Sequence, residues 1–251
     1  MLVIGNWKMN GFRRDGIDRA RSLAQLMLRD SLYCKVLICP PSQLLGEIHN
    51  TLSDSKIIMG GQDCHSKEQG SYTGDISAKM LKDIGCEYVI VGHSERRHNY
   101  GDSDEIVASK AKAAHEAELN AVICIGESKE VYQQGKTIEH LSNQLQNSIP
   151  ETATMKNTHI AYEPCWAIGS GLTPTTIEIK NTHKAIIEIS RKKLLGEENQ
   201  ISVLYGGSVN DNNASSILEI DEVGGVLVGG ASLIAEKFWS ICTSANHYSN
   251  R

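Results

Sequence analysis

The chain has 251 residues, of which 40% are apolar and 22% are charged, and its 25 Lys and Arg against 30 Asp and Glu give a formal net charge of −5. An acidic chain without a basic run has no electrostatic footprint for nucleic acid or an anionic membrane surface, so we expect neither as a partner. Residues 1–7 lack the basic stretch of a targeting signal, and no apolar run approaches the roughly 18 residues of a membrane span, so we expect a cytoplasmic protein.

Cysteine usage and metal-ligand spacing both argue against a metal or disulfide scaffold. The chain has seven cysteines, but no Cys-x-x-Cys pair, and four of them lie inside apolar runs. We predict buried, reduced thiols. The His, Asp and Glu residues show neither zinc-binding nor calcium-loop spacing, so we expect no metal.

Eight short runs of apolar, largely β-branched residues predict eight strands. Each run is nearly continuous rather than alternating, which is typical of strands in a parallel sheet that is covered on both faces. The predicted strands span residues 2–6, 35–39, 57–60, 87–91, 121–125, 159–162, 202–205 and 225–228.

Segments with helical spacing of apolar residues separate these strands. The three clearest stripes are formed by Ala20, Leu23, Ala24, Met27 and Leu28; by Ile106, Val107, Lys110, Ala113, Ala114 and Ala117; and by Ile177, Ile186, Ile187 and Leu194. Ser103 is expected to cap the second helix, Pro174 to begin the third, and Gly196 to follow its Lys192–Lys193 end.

Strand and helix therefore alternate from end to end, with about 31 residues in each unit, close to the size of one βαβ unit. No Pro-, Gly- or Ser-rich linker divides the chain. We predict an α/β fold in which residues 1–251 form a single (β/α)₈ barrel of eight parallel strands. An open, doubly wound sheet is the alternative.

Polar residues cluster where the predicted strands end, which is where such a barrel carries its functional groups. They include Asn6 and Lys8 after the first strand, residues 92–97 after the fourth and Glu163 after the sixth. Glycine pairs follow the seventh and eighth strands, and glycines in these two loops allow backbone N–H groups to approach an anion closely. The pattern predicts a phosphate-bearing ligand.

Five of these segments together resemble the triosephosphate isomerase family. They read NWKMN at residues 6–10, GHSERR at 92–97, AYEPCWAIGSG at 161–171, YGGSV at 205–209 and GGASL at 229–233. The resemblance spans the whole chain in order. It implies a cofactor-free homodimeric isomerase of glycolysis and gluconeogenesis, which interconverts D-glyceraldehyde 3-phosphate and dihydroxyacetone phosphate through an enediolate.

The resemblance assigns the chemistry to three residues. Glu163 is the expected base, sealed from water by the apolar residues that follow it. His93 is the expected electrophile and proton shuttle. If Ser94 and Glu95 open a helical turn, its dipole keeps the imidazole neutral. Lys8 is expected beside the developing oxyanion, with Asn6 as its polar neighbour.

By the same resemblance, residues 166–174 form a lid segment with hinges at Trp166 and Thr173. The expected phosphate donors are Gly169, Ser208, Gly229 and Gly230. The chain departs from the commonest pattern of the family at Leu172, where Lys is frequent, and at Pro174, where Ala is frequent. Because Pro174 has no N–H, a closing hydrogen bond from that position to the hydroxyl of Tyr205 cannot form.

Residues 62–75 resemble the dimer loop of the family. Its tip, near Thr73, is expected to enter the pocket of a second subunit beside Asn6 and Glu95. A stretch of 14 residues with little helical pattern is uncommon inside a compact domain unless it is functional, which favours a dimer over a mobile surface loop.

Other interpretations of the sequence remain open. The segment Gly135-Lys136-Thr137 ends like a phosphate-binding P-loop, but no strand leads into it, and we predict a turn before a helix. The chain could be a lyase or another sugar-phosphate isomerase on a barrel, which would have only the phosphate site in common with the triosephosphate isomerase family. A binding protein on an inactive barrel would need no catalytic residues, whereas Asn6, Lys8, His93 and Glu163 are all present.

Overall fold

The computed structural model describes residues 1–168, 172–194 and 201–249. In this part of the chain, eight strands lie close to the positions that the apolar runs predict, with differences of one residue at several ends. The strands are β1 (Leu2–Asn6), β2 (Lys35–Cys39), β3 (Ile58–Gly61), β4 (Tyr88–Val91), β5 (Asn120–Ile125), β6 (Thr158–Tyr162), β7 (Val203–Tyr205) and β8 (Gly225–Val228).

The strands form a closed parallel barrel in chain order. Each strand pairs with the next, and β1 also pairs with β8, with Leu2 opposite Gly225 and Ile4 opposite Leu227. This last pairing excludes an open sheet, because an open sheet leaves its two edge strands unpaired. The closed barrel also brings the carboxyl ends of all eight strands to one face.

Side chains alternate between the inside of the barrel and the layer of helices around it. On β1, for example, Ile4 belongs to a cluster that fills the barrel together with Leu37 and Ile90, whereas Val3 packs with the buried faces of the helices. The strands are thus apolar on both faces. This double burial explains why their sequences lack the alternation of a half-exposed strand.

Helices connect the strands on the outside of the barrel. Those in the described residues are α1 (Arg13–Arg29), α2 (Leu45–Leu52), α3 (Ala78–Asp83), α4 (Ser94–Tyr100), α5 (Asp104–Glu116), α6 (Lys129–Gln133), α7 (Thr137–Ser148), α8 (Thr176–Ser190), α9 (Ala214–Leu218) and α10 (Ala235–Tyr248). Over these residues, none of the helices has the length and apolar character required to cross a bilayer. The turn predicted at residues 135–137 is present at residues 134–135, and Thr137 is already the first residue of α7.

Several local predictions for the helices need correction. Leu28 and Ile177 do not lie on buried stripes, because their side chains are 71% and 70% exposed. Ser103 caps α5 as predicted, but Pro174 does not begin α8: Thr175 is the cap, and its hydroxyl accepts the N–H of Glu178. This capping box satisfies the backbone N–H groups of both Thr175 and Glu178 at the start of the helix.

The C-terminal end of α8 also differs from the prediction. The helix ends at Ser190, and Lys192 and Lys193 lie in the turn that follows. Gly196 lies outside the described residues.

Candidate active site

The predicted catalytic residues meet at the carboxyl ends of the strands. Asn6, Lys8, His93 and Glu163 line a cavity of about 440 Å³, which Ser208, Gly229 and Gly230 also line. They come from the loops after β1, β4, β6, β7 and β8, so closure of the barrel alone brings together residues far apart in the sequence.

Lys8 is held in an uncommon backbone conformation. Its φ is 51°, a value that non-glycine residues adopt rarely and only when neighbouring contacts enforce it. Its N–H donates to Asn6 Oδ1 at 2.9 Å, and its carbonyl accepts from Gln62 Nε2 at 2.8 Å. Its Nζ lies 2.7 Å from Glu95 Oε1. These contacts direct the ammonium group into the cavity.

His93 and Glu163 form a buried pair. His93 Nε2 lies 2.9 Å from Glu163 Oε1, and the second oxygen of Glu163 accepts the N–H of Ser94 at 2.8 Å. His93 is itself the cap of α4, where its Nδ1 accepts the N–H of Glu95 at 3.2 Å. A ring nitrogen that accepts a hydrogen bond carries no proton, so this contact leaves the ring proton on Nε2.

Opposing influences set the pKa of each member of the pair. Burial acts to raise the pKa of Glu163, but the His93 ring and the Ser94 N–H outweigh it, so the pKa is lowered. For His93, burial lowers the pKa while the Glu163 carboxylate raises it, with a net upward direction. The Glu95 N–H opposes protonation of the ring, because both nitrogens of an imidazolium are donors. We therefore assign a neutral His93 that donates from Nε2.

The loop after β7 requires glycine at one position, and the loop after β8 passes close to Lys8. A Cβ at Gly207 would overlap the hydroxyl of Tyr205, so only glycine fits there. Gly229 faces Lys8: a Cβ at Gly229 would lie 3.2 Å from Lys8 Cε. A short 3₁₀ turn, Gly230–Leu233, starts directly after Gly229. The absence of side chains at these positions leaves room for an anion beside the Lys8 ammonium.

The N-terminal hinge of the lid segment is anchored to a buried acid. Trp166 lies in a 3₁₀ turn, Cys165–Ala167, and its Nε1 donates to Glu127 Oε1 at 2.8 Å. The same oxygen accepts from the hydroxyl of Tyr162 at 3.1 Å. Burial raises the pKa of Glu127, against the lowering effect of these donors. Gly169, the predicted donor at the lid tip, lies outside the described residues.

The prediction for Pro174 concerns the hydroxyl of Tyr205. The hydroxyl of Tyr205 is buried, and it has no hydrogen-bond partner within the described residues. Burial raises the pKa of Tyr205. The hydroxyl therefore stays protonated and retains a donor and an acceptor that no contact in residues 1–168, 172–194 and 201–249 uses.

A second cavity, of about 510 Å³, lies beside residues 62–75. Lys8, Glu95 and Gln62 line it together with the exposed side chains of Met9 and Tyr100. Thr73 lies at the exposed tip of the loop. Asn6, Lys8 and His93 line both cavities, so the second cavity borders the predicted catalytic residues.

Comparison with known proteins decides the family. The model of the family described as triosephosphate isomerase matches residues 1–245. The chain belongs to the triosephosphate isomerase family. The triosephosphate isomerase of Bartonella bacilliformis is 47% identical over 242 residues, covering 96% of this chain and 95% of that protein. The triosephosphate isomerase of Rhizobium meliloti is 44% identical over 241 residues, covering 96% and 94%.

A solved structure shows the same relationship. The crystal structure of triosephosphate isomerase from Bartonella henselae has a TM-score of 0.89 and 41% sequence identity, and the match covers 97% of this chain and 98% of that one. The eight-stranded parallel barrel is therefore the fold of this triosephosphate isomerase family member, and family membership makes the chain an isomerase.

Three residues of this isomerase site were not predicted from the sequence. They are Ser94, whose N–H holds Glu163; Gln62, which holds the loop of Lys8; and Glu127, which holds Trp166. The position of Glu127 could have been recognised in the sequence, since it lies just after the end of β5 as Glu163 lies just after the end of β6. Across the described residues, no group of three or more His, Cys, Asp or Glu side chains is arranged to bind a metal. All seven cysteines are free, and six of them are buried.

Proposed function

We propose that the chain interconverts D-glyceraldehyde 3-phosphate and dihydroxyacetone phosphate by proton transfer through an enediolate, as a step of glycolysis and gluconeogenesis. The observation that carries this proposal is the pairing of Glu163 with His93 in one cavity with Lys8. The reaction needs a base for the carbon-bound proton, a proton donor for the oxygens, and a positive charge for the enediolate, and the three side chains supply one each.

Glu163 serves as the base, and its present contacts define how it becomes active. Two donors, Ser94 N–H and His93 Nε2–H, now stabilise its charged form and lower its pKa. Removal of these donors in a site closed to water leaves the carboxylate less stabilised and therefore more basic. We infer that Glu163 exchanges the Ser94 contact for the substrate carbon when the lid segment closes.

His93 and Lys8 act on the oxygens of the substrate. A neutral imidazole with its proton on Nε2 donates to an oxygen and recovers the proton from the neighbouring one, which transfers it between the two oxygens. The Lys8 ammonium stabilises the negative charge that develops on them. Its pairing with Glu95 and the Asn6 contact to its backbone hold the group in place.

The phosphate of the substrate occupies the part of the cavity formed after β7 and β8. Ser208, Gly229 and Gly230 line this part, and backbone N–H groups of such glycine-rich loops suit a dianion. Gly169 of the lid segment supplies a further donor in this proposal. Asn6 and Lys8 border the same space.

The active form is a homodimer in this proposal. Met9 is 96% exposed and Tyr100 is 70% exposed, and both border the cavity beside residues 62–75. Large apolar side chains exposed around a concave surface are typical of a protein interface. A two-fold dimer in which Thr73 enters the cavity of the partner would cover them in both subunits and support Lys8 and Glu95. No cofactor or metal takes part, and we place the enzyme in the cytoplasm.

A coupled assay with D-glyceraldehyde 3-phosphate tests the proposed reaction. Dihydroxyacetone phosphate should form without any added cofactor or metal, and the reverse reaction should run in the same preparation. A protein that binds the triose phosphate but does not convert it would be a binding protein on a barrel, and that result would refute the proposal. Cleavage or condensation products would instead indicate a lyase.

A further inference from the structure

Arg97 of α4 binds the backbone on both sides of His93. Its side-chain Nε donates to the Gly92 carbonyl at 2.8 Å, and its backbone N–H donates to the His93 carbonyl at 3.1 Å. The first carbonyl belongs to the peptide that precedes His93, and the second belongs to the peptide that follows it. One residue therefore holds both of the peptide groups between which the imidazole is attached.

The same guanidinium ties this loop to three other elements. Its Nη1 donates to Oδ1 of Asp104, the first residue of α5, at 2.6 Å. Its Nη2 donates to the carbonyl of Cys124 in β5 at 3.1 Å and to Oγ of Ser148, the last residue of α7, at 3.0 Å. Because the donors of a guanidinium have fixed directions, these contacts define where Gly92 lies relative to β5, α5 and α7.

The surroundings of the Arg97 side chain strengthen these contacts. The side chain is only 15% exposed, and Ser148 is buried. Gly92 has a φ of 68°, and a Cβ there would lie 2.7 Å from Val107 Cγ2 and 3.1 Å from Arg97 Nη2. The Gly92 backbone is thus packed between α5 and the guanidinium, and charge-assisted hydrogen bonds shielded from water hold it there.

The segment that Arg97 holds makes two of the contacts to Glu163. They are the pairing with His93 Nε2 at 2.9 Å and the hydrogen bond from the Ser94 N–H at 2.8 Å. Among the described residues, those that line the cavity with Lys8 and Glu163 do not include Arg97. Any effect of Arg97 on the reaction therefore passes through the residues that it holds.

We propose that Arg97 is a positioning residue that fixes His93 Nε2 for proton transfer between the substrate oxygens. This inference rests on the proposed function, in which His93 carries that proton. A displacement of about 1 Å in a reacting group can cost about 10²-fold in rate. The contacts of Arg97 described above lie at β5, α4, α5, α7 and the loop after β4, whereas the phosphate is proposed to bind after β7 and β8. Substrate affinity should therefore change little.

Two substitutions separate positioning of the loop from the other contacts of the guanidinium. Arg97→Lys keeps a positive charge beside Asp104, but a single ammonium nitrogen cannot reach all four side-chain acceptors of Arg97. Ser148→Ala is the matched control, because it removes one contact of the same guanidinium and leaves the bond to Gly92. Each variant is measured for kcat, for KM with D-glyceraldehyde 3-phosphate and for its melting temperature.

We expect Arg97→Lys to lower kcat by about ten- to a hundredfold, with KM within about twofold of the wild-type value. Ser148→Ala should keep both constants within about twofold of the wild type. In a His93→Gln background, Arg97→Lys should lower kcat by less than about threefold, because the imidazole that Arg97 positions is absent. A lower melting temperature alone would not produce this dependence on His93.

The Nε2 proton of His93 gives a second readout that does not depend on turnover. Its bond to Glu163 should protect it from exchange with water, so it should give an imidazole N–H resonance that His93→Gln removes. We expect this resonance to persist in Ser148→Ala and to broaden or disappear in Arg97→Lys.

Two results would overturn the positioning role. One is an Arg97→Lys enzyme that matches Ser148→Ala in kcat and in the His93 resonance. The other is an equal fold-loss of kcat on Arg97→Lys in the wild-type and His93→Gln backgrounds, which would indicate a general structural role. An inactive wild-type enzyme would instead refute the proposed function, and the His93 resonance would still test whether Arg97 places the imidazole.

Discussion

His93 Nε2 lies 2.9 Å from Glu163 Oε1, in a pair from which water is almost entirely excluded. The contact lowers the pKa of Glu163, the proposed base, and orients the imidazole, but it also occupies both groups. In the proposed reaction, the substrate must therefore come between them. The Ser94 N–H on the second carboxylate oxygen gives Glu163 a defined resting position at the edge of the cavity.

The phosphate site gives the first prediction. Ser208→Asp adds a negative charge where the dianion is proposed to bind, so KM should rise steeply because like charges repel strongly in a partly buried site. Ser208→Ala, which adds no charge, is the control and should change KM far less. Steady-state kinetics at fixed ionic strength make the comparison. An unchanged KM in Ser208→Asp would mean that the phosphate lies elsewhere.

Assembly gives the second prediction. Deletion of several residues around Gly70 should produce monomers, because the loop can no longer reach a partner. Lys8 and His93 would then lose their support, and a displacement of about 1 Å in a reacting group can cost about 10²-fold in activity. Sedimentation and activity measured on the same sample provide the test. A fully active monomer would show that the loop is not needed to hold the site.

The C-terminal hinge gives the third prediction, since the Tyr205 hydroxyl has no partner in the described residues. Tyr205→Phe should therefore cost little in the wild type. In a Pro174→Ala background, where a backbone N–H is available again, the same change should cost more, by about 1 kcal/mol for one hydrogen bond. A double-mutant cycle on kcat/KM measures this coupling. If Tyr205→Phe caused the same large loss of kcat/KM in both backgrounds, Tyr205 would act through a different contact.

The pH dependence of stability gives the fourth prediction. His183 is fully buried, and burial lowers its pKa to about 4, although its bond to the Glu222 carbonyl acts in the opposite direction. Between this value and the ordinary value of 6.5, the unfolded chain binds a proton that the native protein does not. The free energy of unfolding should therefore fall as the pH drops from 6.5 towards 4.

His183→Phe provides the test, because it keeps an aromatic ring between Tyr162 and Tyr205. Between pH 7 and pH 5, the free energy of unfolding should fall by about 2 kcal/mol less in this variant than in the wild type. Part of the pH effect should remain, since burial also lowers the pKa of His115 and His159 to about 4. Denaturant titrations at one protein concentration make the comparison. Identical pH slopes would exclude a contribution from His183.

The sequence predicts the barrel well because its strands are buried on both faces, which leaves continuous apolar runs. It predicts helix faces less well. Ile177 has helical spacing with buried residues, yet it is exposed, because periodicity does not show which edge of a stripe a neighbouring helix covers. Pro174 and Thr175 are both plausible starts for α8, and only the Glu178 contact distinguishes them.

The candidate site, like the fold, is predictable from the sequence only in part. Glu163, His93 and Lys8 lie at strand ends, and the order of the strands is enough to bring them together. Contacts such as Ser94 with Glu163 depend on backbone N–H groups, which every residue carries, so no residue type marks them. The ring of Tyr132, on α6, stacks on the indole of Trp166, which lies 34 residues later, and nothing in the sequence around Tyr132 indicates this contact.

The central claim, that Glu163 is the base, is tested most directly by the turnover of Glu163→Gln. The variant should fold normally, because an amide replaces a buried carboxylate of nearly the same size, and its melting temperature is the control. Its kcat with D-glyceraldehyde 3-phosphate should fall by at least the roughly 10²- to 10⁴-fold that positioned acid–base catalysis supplies. A folded Glu163→Gln enzyme with near-wild-type kcat would contradict the account.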